Sequence, residues 1–231
     1  MKIERSEGRP LVVGHRGASA VAPENSLAAL AAAVDAGAQL VEFDISPGLV
    51  VAHDSGSAGP SLDEALDLLG ELDVGLHLDL KQAGYEQAVL EAVDRRGLRP
   101  RVLVSTALYP VARRVRALAP DLPVAIGYPH DRHGVSRFQW PASLTRAGAA
   151  ALRAAMPARI PLLLRQTQAN VLSLHHTLCS EAAVAVAHRA GVPVLVWTVN
   201  DPSEARRFAA FGVEGIVTDD PKTVLATLLG P

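Results

Sequence analysis

In this 231-residue sequence, ionisable side chains recur where their neighbours are strongly apolar. The run Leu40-Val41-Glu42-Phe43-Asp44-Ile45 separates Glu42 from Asp44 by one residue, which sends both carboxylates to one face of a β-strand. His77, Asp79 and Lys81 repeat the arrangement, with Leu78 and Leu80 on the other face. A buried strand of a parallel sheet is expected to be almost wholly apolar, and adjacent like charges in it are costly unless a cation neutralises them. A divalent metal is the simplest remedy, and carboxylate oxygens suit Mg2+, Ca2+ or Mn2+ better than a thiolate-seeking ion. The structural alternative is an ion-pair network of Glu42, Asp44, Asp79, Lys81 and Arg16.

Two histidines accompany these carboxylates. The apolar run from Leu11 ends in Gly14-His15-Arg16-Gly17, and Pro23-Glu24-Asn25-Ser26 follows just before a helical pattern. Gly14 and Gly17 permit a sharp turn there, and Asn25 or Ser26 can cap the helix. His53 closes the short extended run Val50-Val51-Ala52 and is followed by Asp54. Taken alone it resembles the surface histidines expected at His133, His175, His176 and His188, so its case rests on context.

The elements that must position these groups alternate short apolar runs with alanine-rich helical patterns, as in a parallel sheet covered by helices. Strands are predicted at Leu11–Gly17, Gln39–Ser46, Gly75–Lys81, Val102–Thr106, Pro123–Tyr128, Asn170–Leu174, Pro193–Asn200 and Gly215–Thr218. Helices are predicted at Ser26–Ala36, Ser61–Leu72, Tyr85–Arg96, Tyr109–Leu118, Pro141–Met156, Ser180–Ala190, Ser203–Phe211 and Lys222–Leu229, with Gly37, Gly97, Gly191 and Gly212 as stops. Eight such pairs in one chain of this length predict an α/β fold, a single (β/α)8 barrel domain over residues 1–231. The pattern is weakest between Gly127 and Gln168, where Asp131–Gln139 is polar and a helix break is expected between Gly148 and Leu152. In such a barrel the C-terminal strand ends surround the active site, which places His15 and Arg16 at its mouth.

Composition narrows the partners. With 22 basic against 24 acidic residues the chain has no broad electrostatic footprint for nucleic acid or an anionic membrane, so any anion site must be local. The single cysteine, Cys179, excludes an internal disulfide framework and fits a reducing compartment. No apolar run reaches the ~20 residues needed to cross a bilayer, and the first ten residues lack the apolar stretch of a signal peptide. A cytoplasmic protein without stable membrane insertion is expected.

The ordered set His15-Arg16-Gly17, Pro23-Glu24-Asn25, Glu42-Phe43-Asp44, His53-Asp54, Asp79 with Lys81, Trp197-Thr198-Val199-Asn200 and Thr218-Asp219 resembles the glycerophosphodiester phosphodiesterase family. The resemblance implies hydrolysis of a small glycerophosphodiester to an alcohol and glycerol phosphate. It implies His15 and His53 as the acid and base pair, with His15 favoured as base. It also implies Glu42, Asp44 and Asp79 as holders of one divalent cation, Arg16 and Lys81 as phosphate contacts, and Trp197 as a wall of the substrate pocket. The attacking oxygen is that of water or of a neighbouring glycerol hydroxyl. The chain departs from the family pattern in carrying Asp79 for the usual Glu, the short turn Ser46-Pro47-Gly48-Leu49, and His77 where Asn is common, a position read mainly as structural. Only Ser55 to Pro60 separate Asp54 from the next helix, so no sizeable insertion subdomain and an open mouth are expected. Spacing alone leaves open whether Trp197 faces inward, and Asp219 and Asp220 read as strand-terminating or capping residues. The competing readings are a lysophospholipase D or related lipid phosphodiesterase, and a degenerate barrel that binds phosphorylated ligands without turnover.

Overall fold

The computed structural model describes residues 1–129 and 142–230; the polar stretch Asp131–Gln139 and His133 lie outside them. Among the described residues, nine strands occur in the order β1 (Leu11–Gly14), β2 (Leu40–Ser46), β3 (Val50–Val51), β4 (Gly75–Leu80), β5 (Val102–Thr106), β6 (Val124–Tyr128), β7 (Val171–His175), β8 (Val194–Trp197) and β9 (Gly215–Thr218). All but β3 are parallel, and β1 pairs with both β9 and β2, so eight strands close into a barrel. The short β3 is antiparallel to β2, pairing Ile45 with Val51 and Ser46 with Val50. Between the strands run α1 (Leu27–Asp35), α2 (Leu62–Gly70), α3 (Glu86–Arg95), α4 (Tyr109–Leu118), α5 (Ala142–Thr167), α6 (Glu181–Arg189), α7 (Pro202–Phe211) and α8 (Pro221–Leu229). No large insertion interrupts the alternation among the described residues.

Period-two alternation sorts each strand into two environments. Val41, Phe43 and Ile45 of β2, like Leu76, Leu78 and Leu80 of β4, join the large cluster between barrel and helices. Leu40, Val13, Leu103, Val171, Leu195 and Val217 form a second cluster that fills the barrel interior. Further toward the C-terminal strand ends the inward positions turn polar at Glu42, Asp44, His77, Ser105 and Ser173, all buried. The hydrophobic plug thus forms a low-dielectric floor under a ring of polar side chains.

Helix starts follow local chemistry. Ser26 accepts the amide of Ala29 at 3.1 Å, and Ser61 forms a capping box with Glu64. One prediction fails: α5 continues through Gly148–Leu152 to Thr167 despite Pro157 and Pro161. Met156, Ile160, Leu163 and Thr167 are buried at intervals of four, three and four, so one continuous stripe against the barrel offsets the lost backbone bonds of the prolines. Several other strand ends are trimmed by one to three residues, as where β8 stops at Trp197, whereas β7 runs one residue further, to His175.

The turn carrying His15 and Arg16 is seated on α1 through Gly17, whose φ is +84° and whose amide donates to the Glu42 carbonyl at 3.0 Å. A Cβ added at Gly17 would lie 2.4 Å from the Ala29 carbonyl, whereas Gly56, with the same φ of +84°, has no heavy atom within 4 Å. Gly17→Ala is expected to cost more than about 2 kcal/mol through overpacking added to left-handed strain, and Gly56→Ala only about 1 kcal/mol from strain alone. Urea denaturation of the two variants checks this; equal losses would contradict it.

Candidate active site

The parallel register of β2 and β4 sets Glu42 beside His77 and Asp44 beside Asp79. One carboxylate oxygen from each of Glu42, Asp44 and Asp79 lies within 4.8 Å of the others. Asn25 clamps Asp44 twice, donating from Nδ2 to Oδ2 at 2.9 Å and accepting the Asp44 amide on Oδ1 at 3.0 Å. Lys81 Nζ bridges Asp44 Oδ1 at 2.6 Å and Asp79 Oδ2 at 2.5 Å. Arg16 Nε sits 2.9 Å from Asp44 Oδ2 but is not aligned for a hydrogen bond, so this contact is an ion pair only.

The ion-pair network foreseen as the structural alternative is therefore present, yet its charges do not close. Three carboxylates face two cations, Arg16 and Lys81, while His15 already has Asp219 as its own counter-charge. The excess falls on Glu42, whose described hydrogen bond is from the Arg16 amide to Oε2 at 2.7 Å. Burial first, and then the neighbouring Asp44, lift its pKa well above the carboxylate range. Burial would raise Asp79 too, but Lys81 and Ser105 outweigh it and hold its carboxyl low. Without a cation Glu42 therefore tends to keep its proton, and a hard divalent cation among these crowded oxygen donors would favour its ionised form.

Both histidines carry a carboxylate on Nδ1. Asp219 Oδ1 lies 2.6 Å from His15 Nδ1, and Asp219 also accepts Ser19 Oγ at 2.8 Å and Asn200 Nδ2 at 2.6 Å. A carboxylate only accepts here, so the ring proton resides on Nδ1 and Nε2 is left for other chemistry. Burial alone would lower the His15 pKa; the Asp219 hydrogen bond and the charge of Glu42 raise it on balance. His53 is half-exposed, with Nδ1 2.9 Å from Asp54 Oδ1. The short turn after β2 and the β3 pairing bring it in, since the Ala52 amide donates to the Asp44 carbonyl at 3.1 Å and Ser46 Oγ to the Ala52 carbonyl at 2.8 Å.

His15, Arg16, Glu42, Asp44, His53, Asp79, Lys81 and Trp197, the residues selected from sequence, all line one cleft of about 180 Å³. That is smaller than the roughly 300–1,000 Å³ of sites for drug-sized ligands, and suits a small polar substrate. Trp197 packs with the interior cluster and lines the cleft, while Val199 packs outside the barrel. The two do not share a face because β8 has ended between them. His175 packs edge-on against the Trp197 ring at 5.0 Å, and His176 Nδ1 lies 3.1 Å from Glu204 Oε2.

The sequence profile of the glycerophosphoryl diester phosphodiesterase family matches residues 15–87 and 75–223, nearly the whole chain and every residue of the cleft just described. The chain belongs to that family. A glycerophosphodiester phosphodiesterase of Caldanaerobacter subterraneus subsp. tengcongensis is 25% identical over 260 residues, covering 94% of this chain and 97% of its own. Among solved structures, a glycerophosphodiester phosphodiesterase from Parabacteroides distasonis superposes with a TM-score of 0.75 at 20% identity, covering 96% of this chain and 97% of that one. A phosphodiesterase from Oleispira antarctica, in complex with the product sn-glycerol-3-phosphate, gives 0.71 at 22% identity, covering 96% and 98%. This member of the family is thus a phosphoric diester hydrolase on the (β/α)8 fold.

Three side chains that sequence reasoning did not assign to the site support it in this phosphodiesterase. Asn25 grips Asp44, leaving Ser26 to cap α1, and Ser105 on β5 donates to Asp79 Oδ1 at 2.6 Å. Asp220 caps α8 as expected, but Asp219 turns to His15. The signal for Asp219 was its place one residue beyond β9, the strand that meets β1 only when the barrel closes. Asp219 itself is held well below the usual carboxylate range, chiefly by the His15 hydrogen bond.

A raised histidine contributes stability that is complete below its ordinary value of 6.5 and lost as pH rises through the folded value. A depressed aspartate contributes above its ordinary 3.8 and loses it as pH falls through the folded value. The pair should therefore stabilise most between pH 3.8 and 6.5. In metal-free Asp219→Asn the His15 pKa is expected to fall, and the stability advantage in that window to shrink. Histidine NMR titration and melting curves read both; an unchanged His15 titration would contradict the pairing.

Proposed function

We propose that this enzyme hydrolyses small glycerophosphodiesters in the cytoplasm, as one domain spanning residues 1–231, with His15 and His53 exchanging protons and Glu42, Asp44 and Asp79 holding one divalent cation. The observation that carries the reading is the convergence of an undercompensated carboxylate trio, two cationic side chains and two carboxylate-paired histidines on one small cleft. The names of the Caldanaerobacter relative and of the Parabacteroides structure support the substrate class, as does the glycerol phosphate bound by the Oleispira enzyme.

The substrate is an anion that repels nucleophiles, so charge must be offset before attack. Arg16 and Lys81, already on the cleft wall, bind the phosphate oxygens and stabilise the more strongly charged transition state. A bound Mg2+, Mn2+ or Ca2+ supplies further neutralisation of phosphoryl charge. His15, held by Asp219, takes the proton of the attacking oxygen on Nε2, whether that oxygen belongs to water or to the glycerol itself; in the second case a cyclic phosphate forms first and water then opens it to glycerol phosphate. His53, held by Asp54 on the exposed side of the cleft, gives a proton to the departing alkoxide. Trp197 offers a ring face to the organic part of the substrate.

Incubation of purified protein with glycerophosphocholine, glycerophosphoethanolamine and bis(glycero)phosphate, with Mg2+, Mn2+, Ca2+ or a chelator, tests the reading. Glycerol phosphate should appear in each metal-containing reaction and cease with the chelator. Intact diesters under every condition would leave a binding barrel instead. Replacing His15 or His53 by Ala is expected to lower turnover by about 10²–10⁴-fold with the fold unchanged, and near-normal turnover in either variant would remove that histidine from the mechanism. Because His53 lies at the exposed side and the segment from Ser55 to Pro60 is short, catalytic efficiencies for the three diesters should agree within about tenfold, or about 1.4 kcal/mol. A hundredfold preference persisting in Trp197→Ala would contradict that openness.

A further inference from the structure

His77 lies on the cleft wall, buried, two residues before Asp79 on the same face of β4. Its Nε2 is 2.8 Å from Ser105 Oγ, and Ser105 Oγ is 2.6 Å from Asp79 Oδ1. The direction of this chain follows from proton counting. A hydroxyl has one hydrogen, and the ionised carboxylate can only accept, so Ser105 donates to Asp79 and must itself accept from His77 Nε2–H. The opposite nitrogen, Nδ1, is buried without a hydrogen-bond partner, so nothing on that side competes for the tautomer.

The topology then decides which Asp79 oxygen is available to the carboxylate trio. β4 lies between β2 and β5. Oδ1 is tied to Ser105 on β5, while Oδ2 is on the side of Asp44, since Lys81 Nζ bridges it to Asp44 Oδ1. Glu42 has one oxygen engaged by the Arg16 amide, and both oxygens of Asp44 are engaged by Asn25, Arg16 and Lys81. Carboxylate oxygens keep a second lone pair beside these bonds, so all three residues can still ligate, but with Asp79 Oδ1 turned to β5 and both Asp44 oxygens engaged, chelation by both oxygens of one carboxylate is disfavoured. One oxygen from each residue suits a small ion that keeps several waters in a six-coordinate shell. Ca2+, with six to eight ligands and a taste for bidentate carboxylates, gains less from such a site.

We propose that His77 is a positioning residue which, through Ser105, fixes Asp79 to present one oxygen and so biases the site toward Mn2+ and Mg2+ over Ca2+. The inference rests on the reading that Glu42, Asp44 and Asp79 hold a cation, and it assigns His77 and Ser105 a task that neither performs by touching substrate. Loss of either link frees Asp79 Oδ1 to swing away from β5, which loosens the small-ion geometry and lets both oxygens approach a larger ion.

Isothermal titration of the metal-free full-length protein with MnCl2, MgCl2 and CaCl2 reads the bias directly, independent of turnover. Wild type should bind Mn2+ and Mg2+ more tightly than Ca2+. Ser105→Ala and His77→Phe should each weaken Mn2+ binding by about tenfold while Ca2+ affinity holds or rises, narrowing the preference. Ser105→Thr retains the hydroxyl, and His77→Gln carries an amide N–H in the place of Nε2–H, so both should keep the wild-type order. Circular dichroism and melting curves establish that each variant is folded; if His77→Phe fails, the Ser105 pair carries the comparison. A tighter Ca2+ complex in wild type, or an unaltered preference in folded Ser105→Ala, overturns the inference while leaving the cation reading intact. Absence of any divalent-ion binding in wild type overturns both.

Discussion

Three carboxylates crowded at the top of a hydrophobic plug are the constraint around which the rest of this enzyme is arranged. In a low-dielectric interior like charges repel strongly, and ion pairs repay desolvation only when geometry is tight and the remaining lone pairs are satisfied. Arg16 and Lys81 meet that requirement for Asp44 and Asp79, and Asn25 and Ser105 complete the hydrogen bonding. Glu42 is left least compensated and resists ionisation, and a cation bound by the three carboxylates would both stabilise its ionised form and offset the charge of an anionic phosphodiester.

Two of the five non-glycine residues of positive φ among the described residues lie in the loop beside this site. Arg16 and Asn25 both have positive φ, 53° and 58°, in a region that side-chain-bearing residues seldom adopt. They persist there because each is over-determined. The Arg16 amide is held by Glu42, its carbonyl accepts the Asn25 amide at 3.0 Å, and its guanidinium reaches Glu24 at 2.8 Å. The loop between β1 and α1 is thereby rigid where it must be, and the strain is offset by contacts that also build the site. Gly17 completes the device by allowing the backbone of that loop to approach α1 more closely than any Cβ permits.

The two histidines differ in surroundings although each has a carboxylate on Nδ1. His15 is tied to Asp219 across the seam where β9 meets β1, and Asp219 is fixed in turn by Ser19 and Asn200. His53 hangs from a two-residue strand with an exposed Asp54. In the proposed mechanism the more restrained ring would suit the step that demands orientation of the attacking oxygen, and the more solvated one a leaving group that departs to water.

Much of this was legible in the chain. Period-two spacing alone put Glu42 with Asp44 and His77 with Asp79, because a strand sends alternate side chains to one face wherever it sits. The eight-fold alternation of strand and helix patterns specified the barrel, and motif order specified the family. What alternation could not supply was contact between residues far apart in sequence. Asp219 looked like a cap until ring closure set β9 beside β1; Trp197 acquired its inward direction only where β8 stopped; Ser105 became a partner of Asp79 only through the β4 and β5 register. The prolines of α5 argued locally for a break, and burial of one long stripe overruled them. Local sequence determines which face a side chain takes and which chemistry it offers, since those depend on backbone geometry within a few residues. Which partner meets it, and with what charge left over, is decided by closure of the barrel, because hydrogen bonding, desolvation and Coulomb energy act through space and not along the chain.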